Sequence, residues 1–304
     1  MKLTLFRKVF LSLTVAVFLS SAAAGSGINI TTTILPFKHF IETVGGELVE
    51  VDVLISPGAN PHTYEPTPGQ LKDVSDAMMY VKVGSGVEFE LAWMEKIIAL
   101  NRNIVVCNGS DGLELLEMTE GNHTTHREED EHRTQDDEAY DYQGKDPHVW
   151  LSPKNAGVIV KNIRDCLIQV DAENAEIYSL NADQYLTELE LLDRKIREVL
   201  SSVPTKLFIV SHPAWGYFAH DYNLTQIAIE VEGKEPSPKH VAKVIETARE
   251  HNITTILVSP QSNPEIARVI ADEIEGRIVY ADPLAEHYIE SLLAVADRIR
   301  RSNE

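Results

Sequence analysis

Short apolar runs rich in β-branched residues alternate along this chain with stretches whose apolar positions recur every three or four residues. Strand-like runs lie at 28 to 35, 49 to 56, 78 to 83 and 103 to 107, with helical patterns near 37 to 44, 68 to 77 and 87 to 100 between them. A second series follows, with strands near 206 to 211, 226 to 231, 254 to 259 and 277 to 281. Its helices fall near 214 to 221, 238 to 251, 264 to 275 and 284 to 301. Strands that alternate with helices pair in parallel, so the pattern predicts two α/β lobes, each with a four-stranded parallel sheet flanked by helices and its own core.

Helix starts are legible at single residues. Thr67-Pro68, Ser152-Pro153, Ser237-Pro238 and Asn263-Pro264 each place a capping side chain before a proline at the first helical position. His212-Pro213 and Asp282-Pro283 fit the same template, which sets both at strand-to-helix junctions on the carboxyl edge of a sheet, where open α/β sheets bind ligands. Between the lobes, Ile177, Leu180, Leu189, Leu192, Ile196 and Val199 keep helical spacing with no proline or glycine among them. A helix over 173 to 200, at about 1.5 Å per residue, spans roughly 40 Å and makes a stiff linker rather than a wide hinge. The expected organisation is an N-terminal lobe over 25 to 172, a linking helix over 173 to 203 and a C-terminal lobe over 204 to 304.

One segment lacks the pattern. From about 117 to 145 no hydrophobic period is sustained, and His123, His126 and His132 lie among Glu128, Glu129, Asp130, Glu131, Asp136, Asp137 and Glu138. An acidic loop inserted in a compact lobe is expected there, its three histidines forming either an auxiliary weak metal-collecting set or a merely solvated tract.

Composition narrows the function. A chain of 304 residues with 43% hydrophobic residues holds ample core for two lobes. A formal charge of −20 excludes a nucleic acid partner, which needs a basic face, and suits a cation. Lys2, Arg7 and Lys8 precede a largely apolar stretch from Val9 to Ala24 that ends Ala22-Ala23-Ala24. This reads as a signal peptide over 1 to 24, cleaved after Ala24, rather than a retained anchor, since the stretch is short for a span and holds several hydroxyls. Export follows. Cys107 ends a strand-like run and Cys166 shares an apolar helical face, so two buried thiols are expected rather than a disulfide. Five N-x-[ST] triplets matter only in a host that glycosylates exported proteins.

The candidate chemistry lies in Pro61-His62, Pro147-His148, His212-Pro213 and Asp282-Pro283, each at the edge of an apolar run. Three imidazole nitrogens and one carboxylate oxygen suit zinc, and a neighbouring proline stiffens the backbone at each position. Asp282 has a second reading as an ordinary helix cap, with water in its place at the metal. Glu65, three residues past His62, is a weaker candidate for orienting that imidazole, because solvation on a loop explains it equally.

Several motifs in register carry a resemblance. Asn60-Pro61-His62-Thr63-Tyr64-Glu65-Pro66-Thr67-Pro68, Asp146-Pro147-His148-Val149-Trp150-Leu151-Ser152-Pro153, Ser211-His212-Pro213-Ala214-Trp215-Gly216-Tyr217-Phe218, Glu235-Pro236-Ser237-Pro238 and Asp282-Pro283-Leu284 resemble, in the same order, the substrate-binding proteins of zinc and manganese ABC importers, the cluster A-I family. The resemblance covers essentially the whole chain after the signal peptide. It implies two four-stranded lobes joined by one long rigid helix, with the metal in the cleft between them. His62 and His148 would come from the first lobe, His212 and Asp282 from the second. Manganese-type members usually carry a glutamate where this chain has His212, and zinc-type members carry an acidic histidine-containing loop before His148. An imidazole in place of a carboxylate also moves a site toward zinc on chemical grounds.

The expected function is therefore an exported protein on the periplasmic or extracytoplasmic face of the membrane that captures Zn(II) as transported ligand and delivers it to an ABC permease. A monomer is the family default. The alternatives are a manganese or iron carrier on the same scaffold, or a metal-containing adhesin with a cell-surface partner. A zinc hydrolase is disfavoured, because the chain offers no H-E-x-x-H helix or other paired general base.

Overall fold

The computed structural model describes residues 27–118, 142–231 and 235–302. The signal-peptide segment and His123, His126 and His132 lie outside the described residues.

Two four-stranded, wholly parallel sheets form the frame. In the first, β1 (Ile28–Thr32), β2 (Val49–Val53), β3 (Met79–Lys82) and β4 (Val105–Asn108) are ordered β2-β1-β3-β4. In the second, β5 (Leu207–Val210), β6 (Thr225–Ala228), β7 (Thr255–Val258) and β8 (Arg277–Tyr280) are ordered β6-β5-β7-β8. Both sheets share one winding. Ile30 pairs with Val51 on one side and Met79 on the other, as Ile209 pairs with Ile227 and Ile256.

Helices α1 (Leu35–Gly45), α2 (Pro68–Asp76) and α3 (Glu88–Leu100) connect the first four strands. Helix α4 (Pro153–Val170) packs against α5 (Ala175–Ser201), the long linker, and α6 (Gly216–Asp221), α7 (Pro238–Glu250), α8 (Glu265–Glu273) and α9 (Tyr288–Arg301) complete the second lobe. Three of the proline-marked starts cap as expected. Thr67, Ser152 and Ser237 accept from the backbone N–H of Gln70, Asn155 and His240, and Thr67 with Gln70 closes a capping box. At Asn263-Pro264 the side chain accepts instead from Glu265 N at 3.1 Å and the helix begins at Glu265. The helices expected from 214 and 284 begin later, at Gly216 and Tyr288, because the chain after His212 and Asp282 first makes turns.

Two expectations are corrected. Cys107 and Cys166 form a disulfide, with Cα atoms 6.0 Å apart. Each side chain does sit on an apolar face, but α4 lies directly on β4, so the two faces oppose each other. Nor does each lobe keep a core to itself. One apolar cluster runs from Phe37, Phe40 and Tyr80 in the first lobe, through Tyr185, Leu189, Leu192 and Ile196 of α5, to Phe208, Leu257, Leu292 and Val295 in the second. A smaller cluster around Ile209, Val244, Ile256 and Ile270 fills the far side of the second sheet. Phe40 and Tyr288 meet edge to face across the lobes, with ring centroids 4.9 Å apart.

Candidate metal centre

The carboxyl ends of both sheets face one cleft, and each expected histidine reaches it from a separate segment. His62 lies in the loop between β2 and α2, where its backbone N–H donates to Asn60 Oδ1 at 2.9 Å. His148 precedes a single 3-10 turn, Val149–Leu151, that leads into α4. His212 follows β5 by two residues, and Ser211 beside it accepts from Ser259 N at 2.9 Å, tying that strand end to the one after β7.

The three side chains converge. His212 Nε2 lies 3.3 Å from Nε2 of His62 and 3.3 Å from Nε2 of His148, and one ligand atom from each of the three falls within 4.8 Å of the others. A tetrahedral zinc with Zn–N bonds of about 2.0–2.1 Å would set its nitrogens roughly 3.3–3.4 Å apart. Exposure falls from 27% for the His62 side chain to 12% for His212 and 8% for His148, so the pocket opens on the His62 side.

Each imidazole is oriented by a carboxylate on its other nitrogen. Nδ1 of His62 meets Glu88 Oε1 at 2.9 Å, Nδ1 of His148 meets Asp146 Oδ1 at 2.8 Å, and Nδ1 of His212 meets Glu230 Oε2 at 2.8 Å. An ionised carboxylate can only accept, so each Nδ1 carries the proton and each Nε2 lone pair faces the centre. Three lone pairs this close repel one another unless a cation lies among them.

Electrostatics separates the ligands. Burial pushes the His212 imidazolium down, and the two other imidazoles add to that against the pull of Glu230, so its pKa is lowered. Burial acts the same way on His62, but the hydrogen bond and charge of Glu88, with Glu230 beyond, outweigh it and raise its pKa. Glu88 and Glu230 are held below the usual carboxylate range: burial opposes this, and the bonds to His62 and His212 overcome it.

Asp282, the fourth expected ligand, does not join the cluster. Its Oδ1 accepts from Leu284 N at 2.9 Å and from Gln261 Nε2 at 2.9 Å, and Gln261, not Asp282, lines the cleft. Its side chain closes a turn and caps no helix, since α9 begins at Tyr288 with His287 at its N-cap. Glu65 is exposed, and Glu88 orients His62 instead. Sequence reasoning missed Glu88 and Glu230, which lie 26 and 18 residues from the histidines they serve; Asp146 carried a local signal, two residues before His148 in the Asp-Pro-His triplet.

The chain is similar to known proteins of zinc uptake. The family described as zinc-uptake complex component A, periplasmic, ZnuA, matches residues 30–302. The high-affinity zinc uptake system protein ZnuA of Bacillus subtilis is 32% identical over 260 residues, which cover 85% of this chain and 79% of that protein. The zinc-binding protein AdcA of Streptococcus pyogenes is 30% identical over 262 residues, 84% of this chain and 50% of AdcA, so this chain spans about half of that longer protein. A crystal structure of ZnuA superposes with a TM-score of 0.82 at 37% identity, covering 91% of this chain and 100% of that one.

Proposed function

We infer the function from one premise: this chain belongs to the ZnuA family, the periplasmic component A of zinc-uptake complexes. The protein captures Zn(II) and serves its import through an ABC-type transporter. The family is an extracytoplasmic one of solute-binding proteins that work with membrane permeases.

The finer assignment rests on the three converging Nε2 atoms, each backed by its own carboxylate. His62, His148 and His212 hold the ion, and water completes the coordination in place of Asp282. Glu88, Asp146 and Glu230 fix the tautomers and raise the basicity of the ligands. Among the described residues, the three carboxylates nearest the ligands are all engaged with imidazoles, as suits a site of capture and release. An all-imidazole protein ligand set favours zinc over manganese or iron(II), which take harder oxygen donors more readily. The leader over 1 to 24 is removed on export, and the mature chain works as a monomer.

Metal analysis with competition titration tests this reading. The wild-type protein should take up one zinc ion and release little of it to excess manganese, and His212→Ala should lose at least 100-fold in zinc affinity. Unchanged affinity in that variant would overturn the ligand set.

A further inference from the structure

His148 belongs to the first lobe by sequence, yet the contacts on either side of it reach into the second. Before it, the carbonyl of Asp146 accepts from Tyr217 Oη at 3.0 Å. The same hydroxyl accepts from Leu116 N at 3.0 Å, so Tyr217 gathers both stems of the 117 to 145 insertion at one atom. After His148, the Trp150 indole donates to the Pro283 carbonyl at 2.7 Å, and Tyr288 Oη donates to the Trp150 carbonyl at 2.6 Å.

Asp146 joins these contacts to the metal site. Its Oδ1 takes both the backbone N–H of His148 at 2.9 Å and the ring Nδ1 at 2.8 Å. Its Oδ2 lies against Gly216, where an added Cβ would come within 2.1 Å of it. Only a residue without a side chain lets the orienting carboxylate sit there. His62, by contrast, is held through Asn60 and Glu88 of its own lobe.

We propose that Tyr217 and Gly216 are positioning residues that act through Asp146 on His148, latching the segment 146–150 to the second lobe so that His148 and His212 form a two-histidine platform. His62, held by its own lobe, completes the site from the opposite side. This inference rests on the zinc-capture reading and deepens it. An aligned carbonyl and carboxylate are worth most where they hold a buried imidazole in one rotamer, and loss of such outer-sphere support typically costs about 10-fold or more in metal affinity.

The test uses Tyr217→Phe, which removes one hydroxyl and keeps the ring, and Gly216→Ala, which pushes on Asp146 from the other side. Each is titrated with zinc, and each is loaded with Co(II), whose ligand-field spectrum reports the geometry of the bound imidazoles. Both variants should bind zinc about 10-fold more weakly and shift the Co(II) bands, while apo circular dichroism stays that of the wild type. If Tyr217→Phe fails to fold, Gly216→Ala decides alone. Wild-type affinity and an unshifted Co(II) spectrum in folded variants would sink the latch and leave zinc capture standing. A wild-type protein that takes up no zinc would sink both.

Discussion

Glu88 Oε1 lies 2.9 Å from His62 Nδ1, although the two residues lead into different helices of the first lobe. The carboxylate is the main tether between the most exposed ligand and the sheet edge. Glu88→Ala should therefore weaken zinc binding about 10- to 100-fold, the range for lost outer-sphere partners, with little change in the fold. Glu88→Gln keeps an acceptor for the Nδ1 proton and should fall between that variant and the wild type. Isothermal titration against a competing chelator checks the order.

Asp282→Asn offers the complementary measurement. Its Oδ1 serves Leu284 N and Gln261, and an asparagine oxygen can still accept both bonds. Zinc affinity should stay within about threefold of the wild type, since no metal–oxygen bond is lost, whereas a direct ligand would cost 10-fold or more.

Zinc should raise the thermal midpoint. An ion bound only by the folded chain adds RT ln(1 + [L]/Kd), about 2.7 kcal/mol at a free concentration 100 times Kd. Differential scanning fluorimetry with and without a chelator reads this directly, and His212→Ala should lose most of the shift.

The Cys107–Cys166 bridge closes a loop with a sequence separation of 59. On the chain-entropy account, a loop of that size constrains the unfolded state by about 4 kcal/mol, with measured cases commonly about 2–4 kcal/mol. Replacing both cysteines by serine should lower the midpoint by roughly 3–7 °C for a chain of this size. Zinc affinity should hold, because neither sulfur belongs to the histidine cluster.

Glu90 predicts a pH effect away from the metal. It is buried, accepts from Val83 N at 2.6 Å, Gly84 N at 2.9 Å and the Thr33 hydroxyl, and burial raises its pKa above the ordinary 4.5 despite those bonds. The folded chain therefore keeps this proton to higher pH than the unfolded chain does. Stability from this group is fully present below 4.5 and declines as pH rises from there through the raised value. Glu90→Gln cannot ionise and lacks that slope. The stability advantage of the wild type over the variant should shrink as pH rises above about 4.5, as followed by urea unfolding.

How much was legible depended on how local each cause was. Strand and helix order came through because β-branched runs and the 3.6-residue period are written in neighbouring positions, and Thr67, Ser152 and Ser237 marked their helices with a side chain and the proline beside it. The three histidines were legible through their proline partners and the family motifs. Glu88 and Glu230 were not, because each meets its imidazole only once the sheets are wound. The disulfide was misread for the same reason: Cys107 and Cys166 each showed an apolar face, and nothing in either segment said that the faces oppose. Asp282 was ambiguous, because an aspartate before a proline looks alike whether it grips a metal or a backbone N–H. The shared interior was hidden too, since the helical spacing of Leu189, Leu192 and Ile196 shows a buried stripe but not that both sheets supply its cover.

That stripe limits how the molecule can be rearranged. Because one apolar seam passes from Phe40 through Tyr185 and Ile196 to Leu292, neither half is a transplantable module. Cutting the coding sequence at residue 203 would produce an amino-terminal fragment with an oily rod at its end and a carboxyl-terminal fragment missing its floor. Swapping halves between relatives would demand matching the rod to both.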